Sequence, residues 1–183
     1  MNQSEKRLFL IQSLLKENQE YRDMNIPAEP ESQRQFLRGL MNIRMPRRIG
    51  ADFLKMQDEY LQSETVAKGI TDIADLTPIQ QGLYLWQGDI TTLKCDAIVN
   101  AANSGMTGCY IPNHRCIDNA IHTFAGVELR LACEELMEQQ GYPEPTGQAK
   151  ITPAFNLPCR YVLHTVGPII SGRVTKEDKE LLA

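Results

Sequence analysis

The chain has 183 residues, which suits one domain or one small domain with an extension. Apolar residues make up 42% and charged residues 23% of it, as in an ordinary globular protein. Its 19 basic and 23 acidic residues give a net charge of -4. This balance argues against a general nucleic-acid binder, because a basic surface is needed to neutralise phosphates.

No apolar stretch approaches the roughly 20 residues that span a bilayer, and the N-terminus lacks the pattern of a secretory signal. We therefore expect a cytoplasmic protein that needs neither a membrane nor a nucleic acid as a partner. In a reducing compartment its five cysteines would be free thiols or metal ligands rather than disulfides.

Residues 1–78 predict a helical extension. Apolar residues recur at helical spacing over 4–18, after Pro30, and over 51–68, and Gly69 suits a helix C-cap. So few apolar residues would make a poor independent core, and we expect these helices to pack against the unit that follows. The basic residues of this region are interpreted as a solvated helix face and linker, although they could also meet an acidic partner. They are Arg34, Arg38, Arg44, Arg47 and Arg48.

Residues 79–183 alternate between strand and helix patterns. The alternation at 83–87 is typical of a half-buried strand, and the apolar run within 96–100 is typical of a strand covered on both faces. Strands separated by helices imply crossover connections and a parallel or mixed sheet. The further predicted strands lie at 150–152 and 161–166, and the helices lie around 120–124 and 129–137, ended by Gly141.

Cys109, His114 and Cys116 lie within eight residues of one another, in a loop that contains glycine, proline and asparagine. Thiolates and imidazole are good zinc ligands, and three of them would leave the open position that a catalytic zinc needs. Spacing alone leaves open that the grouping arose by chance. His122 is close enough in sequence to be a fourth ligand, although packing within its own element is the simpler interpretation for it and for His164.

A second group, Asn100, Asn103 and Asp118, flanks the same loop. In open α/β sheets, ligands bind beyond the carboxyl ends of the strands, and a helix N-terminus there offers N–H groups to phosphate. Asp118 could also simply cap the helix that starts near it. The turn at Gly88-Asp89 is a weak signal by itself.

Four segments of the chain match the macrodomain family in its order of motifs. They are Gly-Asp-Ile-Thr at 88–91, Asp-Ala-Ile-Val-Asn-Ala-Ala-Asn at 96–103, Asp118 with Ala-Ile-His at 120–122, and Tyr-Val-Leu-His-Thr-Val-Gly-Pro at 161–168. Together they closely resemble the MacroD-type hydrolase branch of this family. The resemblance implies a three-layer α/β/α macrodomain with a mixed sheet over 79–183, preceded by the N-terminal helical extension.

The resemblance also implies roles for individual residues. Asp89 would accept a hydrogen bond from the adenine amino group, and the backbone of Ile90 would help to hold the base. Asn103 would contact the distal ribose, and Asp118 would orient or activate water. Other members carry a glycine-rich loop between these last two positions, whereas this loop is similar to that of the zinc-dependent macrodomain subgroup. In that subgroup one zinc ion is bound by the residues that match Cys109, His114 and Cys116.

The function implied by the resemblance is removal of mono-ADP-ribose from modified protein side chains, with zinc, Asn103 and Asp118 taking part in catalysis. The partners would be ADP-ribose and a mono-ADP-ribosylated protein, and the subgroup alone points to sirtuin-like or lipoate-related partners. Two alternatives stay open. One is a non-catalytic module that binds ADP-ribose, and the other is a zinc-stabilised interaction protein that uses its N-terminal helices.

Macrodomains normally continue well beyond the strand that matches 161–166, with further strands and a second phosphate-binding loop. Here only a charged stretch at 173–180 follows, which we expect to begin the next helix. We therefore expect a shortened macrodomain whose sheet has an unpaired edge and uncovered apolar surface. Such a chain should be poorly stable and should bind ADP-ribose weakly.

Overall fold

The N-terminal region forms three helices, α1 (Gln3–Glu17), α2 (Pro30–Ile43) and α3 (Ala51–Lys68), in a computed structural model that describes residues 1–170 and 172–181. Asn2 and Glu5 form a capping box at the start of α1, and Pro30 occupies the first turn of α2. Gly69 ends α3 with a φ of 89°, a conformation that glycine adopts at little cost. The three predicted helices are confirmed.

These helices share a hydrophobic core of their own. α1 buries Leu10, Ile11, Leu14 and Leu15 against apolar residues of α2 and α3, and Val127 from the following unit joins the same cluster. The helices thus pack against the following unit as predicted, but they also form a core of their own, which was not expected. Four large side chains from one face of α1 are enough to give three short helices a common interior.

The rest of the chain alternates strands and helices. Two short strand pairs precede the main sheet, one parallel and one antiparallel. The elements are β1 (Thr71–Asp72), β2 (Pro78–Gln80), β3 (Leu83–Tyr84), β4 (Leu93–Lys94), β5 (Ala97–Ala102), α4 (Ile117–Ala125), α5 (Val127–Gln140), β6 (Ala149–Pro153), β7 (Tyr161–Val166) and α6 (Lys176–Glu180).

The main sheet has the order β5-β7-β6, in which β7 is parallel to β5 and antiparallel to β6. The predicted mixed sheet is thus confirmed. α4 and α5 cover one face, where Ile98 and Val162 are buried beside Ile121. On the other face Val99 is 53% exposed, so the prediction that this strand is covered on both sides is wrong. The prediction failed because an unbroken apolar run does not show that only one face of the strand is covered.

Two further predictions change in detail. The half-buried strand predicted at 83–87 is wrong, because β3 is a two-residue strand in a hairpin with β2 and its side chains are exposed. Every residue of β2 and β3 is exposed, so the alternating pattern marks no interior face. The helix expected within 173–180 is α6, a short helix of five residues, none of which is buried. None of the described helices is both long and apolar enough to cross a membrane.

Polar side chains join the two units. Arg130 of α5 is buried and its Nη1 donates to the carbonyl oxygens of Met41, Asn42 and Arg44, at 3.3, 2.6 and 2.7 Å. These carbonyls lie at the C-terminus of α2, where the helix itself provides no partner and where a positive charge is favoured. Gln57 of α3 accepts a hydrogen bond from the backbone N–H of Val127 at 2.9 Å.

The basic run of the extension is therefore not a uniformly solvated face. Arg44 is buried and pairs with Glu17 at 2.7 Å, and Arg38 is half-buried against the second unit. Only part of the interpretation holds, because Arg48 is indeed an exposed side chain. The helical period alone could not distinguish these arginines, since what buries them comes from distant parts of the chain.

Arg130→Met should destabilise the protein by on the order of 3 kcal/mol, because three buried carbonyls lose a charged donor that no other group replaces. Urea denaturation followed by circular dichroism measures this loss. The matched control is Arg48→Met, which removes an exposed arginine and should change the free energy of unfolding by less than about 0.5 kcal/mol. Equal stabilities of the two variants would contradict the role given to Arg130.

Candidate functional site

A buried carboxylate lies at the carboxyl end of β5, where the strand turns into a loop. Asp118, in the first turn of α4, accepts a hydrogen bond from Asn100 Nδ2 at 2.8 Å through Oδ1. Its Oδ2 accepts one from Asn103 Nδ2 at 3.3 Å. The structure thus brings together the three residues that the sequence had placed on either side of the loop, at the sheet edge where open α/β folds bind ligands.

The environment of Asp118 makes it a stronger base than a surface aspartate. Burial raises the pKa of Asp118, and this effect is opposed by the hydrogen bond from Asn100, the positive charge of Arg130 and the hydrogen bond from Asn103. The net result is a raised pKa, because desolvation disfavours the charged carboxylate more than these partners favour it. The prediction that Asp118 merely caps its helix does not hold, since the side-chain cap of α4 is Cys116.

Asn100 is itself fixed by a buried histidine. Its Nδ2 also lies 3.1 Å from Nδ1 of His164, which pairs with it across β5 and β7, and the Nε2 of that histidine lies 3.0 Å from Thr152 Oγ1. Burial lowers the pKa of His164 to about 4, so the ring is neutral at pH 7. Its Nδ1 then accepts from Asn100 while its Nε2 carries the proton.

His122 does not join the cysteine loop. It is buried in a separate group with Cys133 and His164, whose ligand atoms lie within 4.8 Å of one another. Within the described part of the chain neither ring nitrogen has a hydrogen-bond partner, and Oδ1 of Asp118 lies 3.6 Å from Nε2. Burial, together with the charge of Arg130, lowers the pKa of His122 well below its usual value. A fourth-ligand role for His122 beside the loop cysteines is thus wrong.

The loop brings its two thiols and one imidazole together. The sulfurs of Cys109 and Cys116 and a ring nitrogen of His114 all lie within 4.8 Å of one another, and Cys109 Sγ is 3.6 Å from His114 Nδ1. Ligand atoms around one tetrahedral zinc lie roughly 3.3 to 3.8 Å apart, given the usual bond lengths. The donor set therefore fits a zinc ion chemically and in spacing. That these residues bind zinc stays a prediction.

The loop depends on four polar side chains that the sequence analysis did not identify as functional. Each contacts the backbone between residues 109 and 114, and two of them come from the N-terminal extension. No local sequence signal relates the two residues of the extension to the loop, because 76 and 71 residues separate them from their partners in the chain. They are Arg38 and Asn42 of α2, Asn119 of α4 and Arg130 of α5.

The predicted adenine contact, Asp89, lies at the start of a short turn of helix. Asp89 caps the turn of 3-10 helix Ile90–Thr92, and its Oδ1 accepts from the backbone N–H and the hydroxyl of Thr91, at 3.0 and 2.6 Å. Its Oδ2 lies 3.2 Å from Lys68 Nζ. Burial pushes the pKa of Asp89 upward, but the hydrogen bonds from Thr91 and the charge of Lys68 outweigh it, so the pKa is lowered.

A cleft of about 190 Å³ lies beside this contact, between α2, α3 and α4. Lys68 lines it with its ammonium 3.2 Å from the centre of the Phe124 ring, and Arg38 lines it from the opposite helix. Burial lowers the pKa of Arg38, and its proximity to Cys116 and Asp89 opposes this effect. The roles of Asp89 and Ile90 in binding a base stay predictions.

His164→Gln should reduce the dependence of stability on pH. The pKa of this histidine is 6.5 in the unfolded chain and about 4 in the folded protein. Between these two pH values the unfolded state therefore binds a proton that the folded state does not bind. The free energy of unfolding should fall by about 2 kcal/mol from this residue between pH 6.5 and 4.5, and no such loss should occur above pH 6.5. Urea denaturation of the parent chain and the variant at both pH values measures the difference. Parallel losses in the two proteins would contradict the assignment.

Three comparisons relate this geometry to known proteins. The family model of the Macro domain matches residues 99–183. The chain is 59% identical over 187 residues to a protein-ADP-ribose hydrolase of Treponema medium, covering 100% of this chain and 72% of that protein. It is 46% identical over 177 residues to a protein-ADP-ribose hydrolase of Staphylococcus aureus strain MRSA252, covering 96% of this chain and 66% of that protein.

Among solved structures, a crystal structure of a Trypanosoma brucei macrodomain superposes with a TM-score of 0.50 and 28% identity, covering 72% of this chain and 57% of that one. The chain spans about two thirds to three quarters of the length of the two protein-ADP-ribose hydrolases named above. The structure has N-terminal helices followed by a mixed sheet on which α4 and α5 pack. This arrangement agrees with the fold class that the resemblance implied.

Proposed function

The chain belongs to the macrodomain family, and from this premise we propose that the protein hydrolyses the bond that joins ADP-ribose to a modified protein side chain. The two relatives named as protein-ADP-ribose hydrolases support this activity. The single observation that carries it is the buried carboxylate of Asp118, held by two amides at the carboxyl end of β5. A module that only binds ADP-ribose has no need for a base in this position.

We assign the reacting end of the site to Asp118 and Asn103. Both carboxylate oxygens of Asp118 are fixed by amide donors, and its raised pKa makes it a better acceptor for a proton of water. Asn103 is held in turn, since its Oδ1 accepts from Gly105 N at 2.9 Å and its Nδ2 donates to Gly108 O at 3.1 Å. This amide can thus present a fixed face to the ribose while it orients the carboxylate.

Cys109, His114 and Cys116 would hold one zinc ion beside this carboxylate. A zinc ion in such a site polarises oxygen ligands and lowers the pKa of bound water. The chain's own contribution is to keep the two sulfurs and the imidazole on a loop that ends two residues before Asp118. Cys116 does this directly, because its sulfur accepts from Asn119 N at 3.4 Å and so caps α4.

Asp89 and Ile90 would hold the adenine, next to Lys68. The Lys68 ammonium occupies one oxygen of Asp89 in this structure, so a base that bonds to this carboxylate must share it with the lysine. The carrier protein would be a mono-ADP-ribosylated protein, and sirtuin-like or lipoate-related partners stay a prediction of the resemblance.

Asp118→Asn should lower the turnover of a mono-ADP-ribosylated protein by about 100-fold or more, because the amide cannot accept the proton of water. The measurement is release of ADP-ribose under saturating substrate. The matched control is Asp96→Asn, since that carboxylate is exposed and takes no part in the site, and this variant should keep the parent rate. If the parent chain binds the modified protein but releases no ADP-ribose, the binding-module alternative is correct.

Cys116→Ala should abolish stoichiometric zinc and lower turnover by on the order of 100-fold or more, because the charge stabilisation that a metal supplies amounts to several kcal/mol. Elemental analysis of the purified protein and the same turnover assay, with and without a chelator, measure both effects. Cys95→Ala removes a thiol outside the cluster and should leave zinc content and rate unchanged. Full activity of Cys116→Ala, indifferent to chelation, would refute a metal role.

A further inference from the structure

One face of α2 lies directly against the segment that carries His114. Gly39 lies close to this segment, since a Cβ there would lie 3.4 Å from Asn113 Nδ2 and 3.8 Å from Pro112 Cβ. One turn further on, Asn42 Oδ1 accepts a hydrogen bond from the backbone N–H of Asn113 at 2.9 Å. The N-terminal extension therefore touches the loop at consecutive residues just before the imidazole.

Arg38 makes the closest polar contacts of this face. Its Nη2 donates to the carbonyl oxygen of His114 at 2.9 Å and to Asn119 Oδ1 at 2.7 Å, and its Nε donates to the same oxygen at 3.2 Å. The guanidinium thus holds two acceptors from two different elements. A planar fork of donors can do this, whereas a single ammonium cannot reach both with the same geometry.

Asn119, which accepts hydrogen bonds from Arg38, also contacts both cysteines of the loop. Because its Oδ1 is taken by Arg38, its Nδ2 points to the loop and donates to the carbonyl oxygens of Ile111 and Cys109, at 3.0 and 3.4 Å. Its backbone N–H donates to the sulfur of Cys116. Arg38 therefore contacts His114 directly, and it is linked to the backbone of Cys109 through the side chain of Asn119, the same residue whose backbone N–H binds the sulfur of Cys116.

The charge of Arg38 has no carboxylate partner among the described residues, whereas Arg34, one turn earlier, pairs with Glu31 and Glu64. Burial lowers the pKa of Arg38, and attraction to Cys116 and Asp89 opposes this. A half-buried guanidinium without a carboxylate needs other compensation. Here the compensation comes from the carbonyl oxygen of His114 and the side-chain oxygen of Asn119.

We propose that Arg38 is a positioning residue for the metal site, by which the N-terminal extension orders the loop that holds Cys109, His114 and Cys116. This inference rests on the proposed function for the identity of the ligands. It also assigns a function to the N-terminal extension, since α2 supplies the contacts of Arg38 with His114 and Asn119. Loss of an outer contact of this kind typically weakens metal binding by roughly 10- to 100-fold.

The test compares Arg38→Gln with Arg34→Gln, a matched loss of an arginine from the same helix whose partners are not in the loop. The full chain is titrated with Co²⁺, and the sulfur-to-cobalt charge-transfer band and the d–d bands are recorded. Zinc affinity is measured by competition with a chromophoric chelator. Arg38→Gln should bind both metals about 10- to 100-fold more weakly, with altered d–d bands, while Arg34→Gln should match the parent chain.

A third variant, Arg38→Lys, keeps the charge and one donor but not the fork, so its affinity should lie between those of the parent chain and Arg38→Gln. Parent-like affinity and spectra in Arg38→Gln would overturn the proposal, and if that variant does not fold, parent-like behaviour of Arg38→Lys would overturn it instead. A parent chain without a sulfur-to-cobalt band would refute the ligand assignment and this inference together. A parent chain that binds metal but does not release ADP-ribose would refute only the proposed function.

Discussion

The hydrogen bond between Asn100 and Asp118 is the interaction on which the candidate site depends. It connects the carboxyl end of β5 to the first turn of α4, at 2.8 Å and away from solvent. A buried carboxylate is costly unless it is hydrogen-bonded, so the strand end, the loop between these residues and the helix must keep their relative positions. His164 extends the same chain of contacts to β7, because its neutral ring accepts from Asn100. The carboxylate of Asp118 is thereby held by the sheet itself.

The cysteine loop has a different kind of support. Its own sequence cannot order it, since it contains residues with positive φ, such as Met106 and Asn113, and no regular hydrogen-bonding pattern. Instead, side chains of α2, α4 and α5 satisfy its backbone groups from three directions. The helical extension is therefore part of the site's architecture as well as a small core of its own. The site therefore combines a rigid carboxylate with a cysteine loop that is ordered by contacts from neighbouring helices.

The elements that could be predicted are those whose signals are local. The helices of the extension follow from apolar spacing and from end signals such as Pro30 and Gly69, and β7 follows from its own apolar run. The predictions that failed concern which face of an element meets another one. The exposure of Val99, the isolated β2–β3 hairpin and the burial of Arg44 all depend on what packs nearby, which periodicity does not encode.

By itself the sequence determined the order of the macrodomain motifs and the grouping of two thiols and an imidazole, because these residues are close together in the chain and their chemistry is independent of its path. It also indicated that Asn103 and Asp118 flank one loop. Only the tertiary structure decided that His122 belongs to a buried group with Cys133 and His164, and that Arg38 meets Asn119 across 81 residues. The physical reason is that burial and hydrogen-bond partners are set by long-range packing, which joins segments that no local pattern relates.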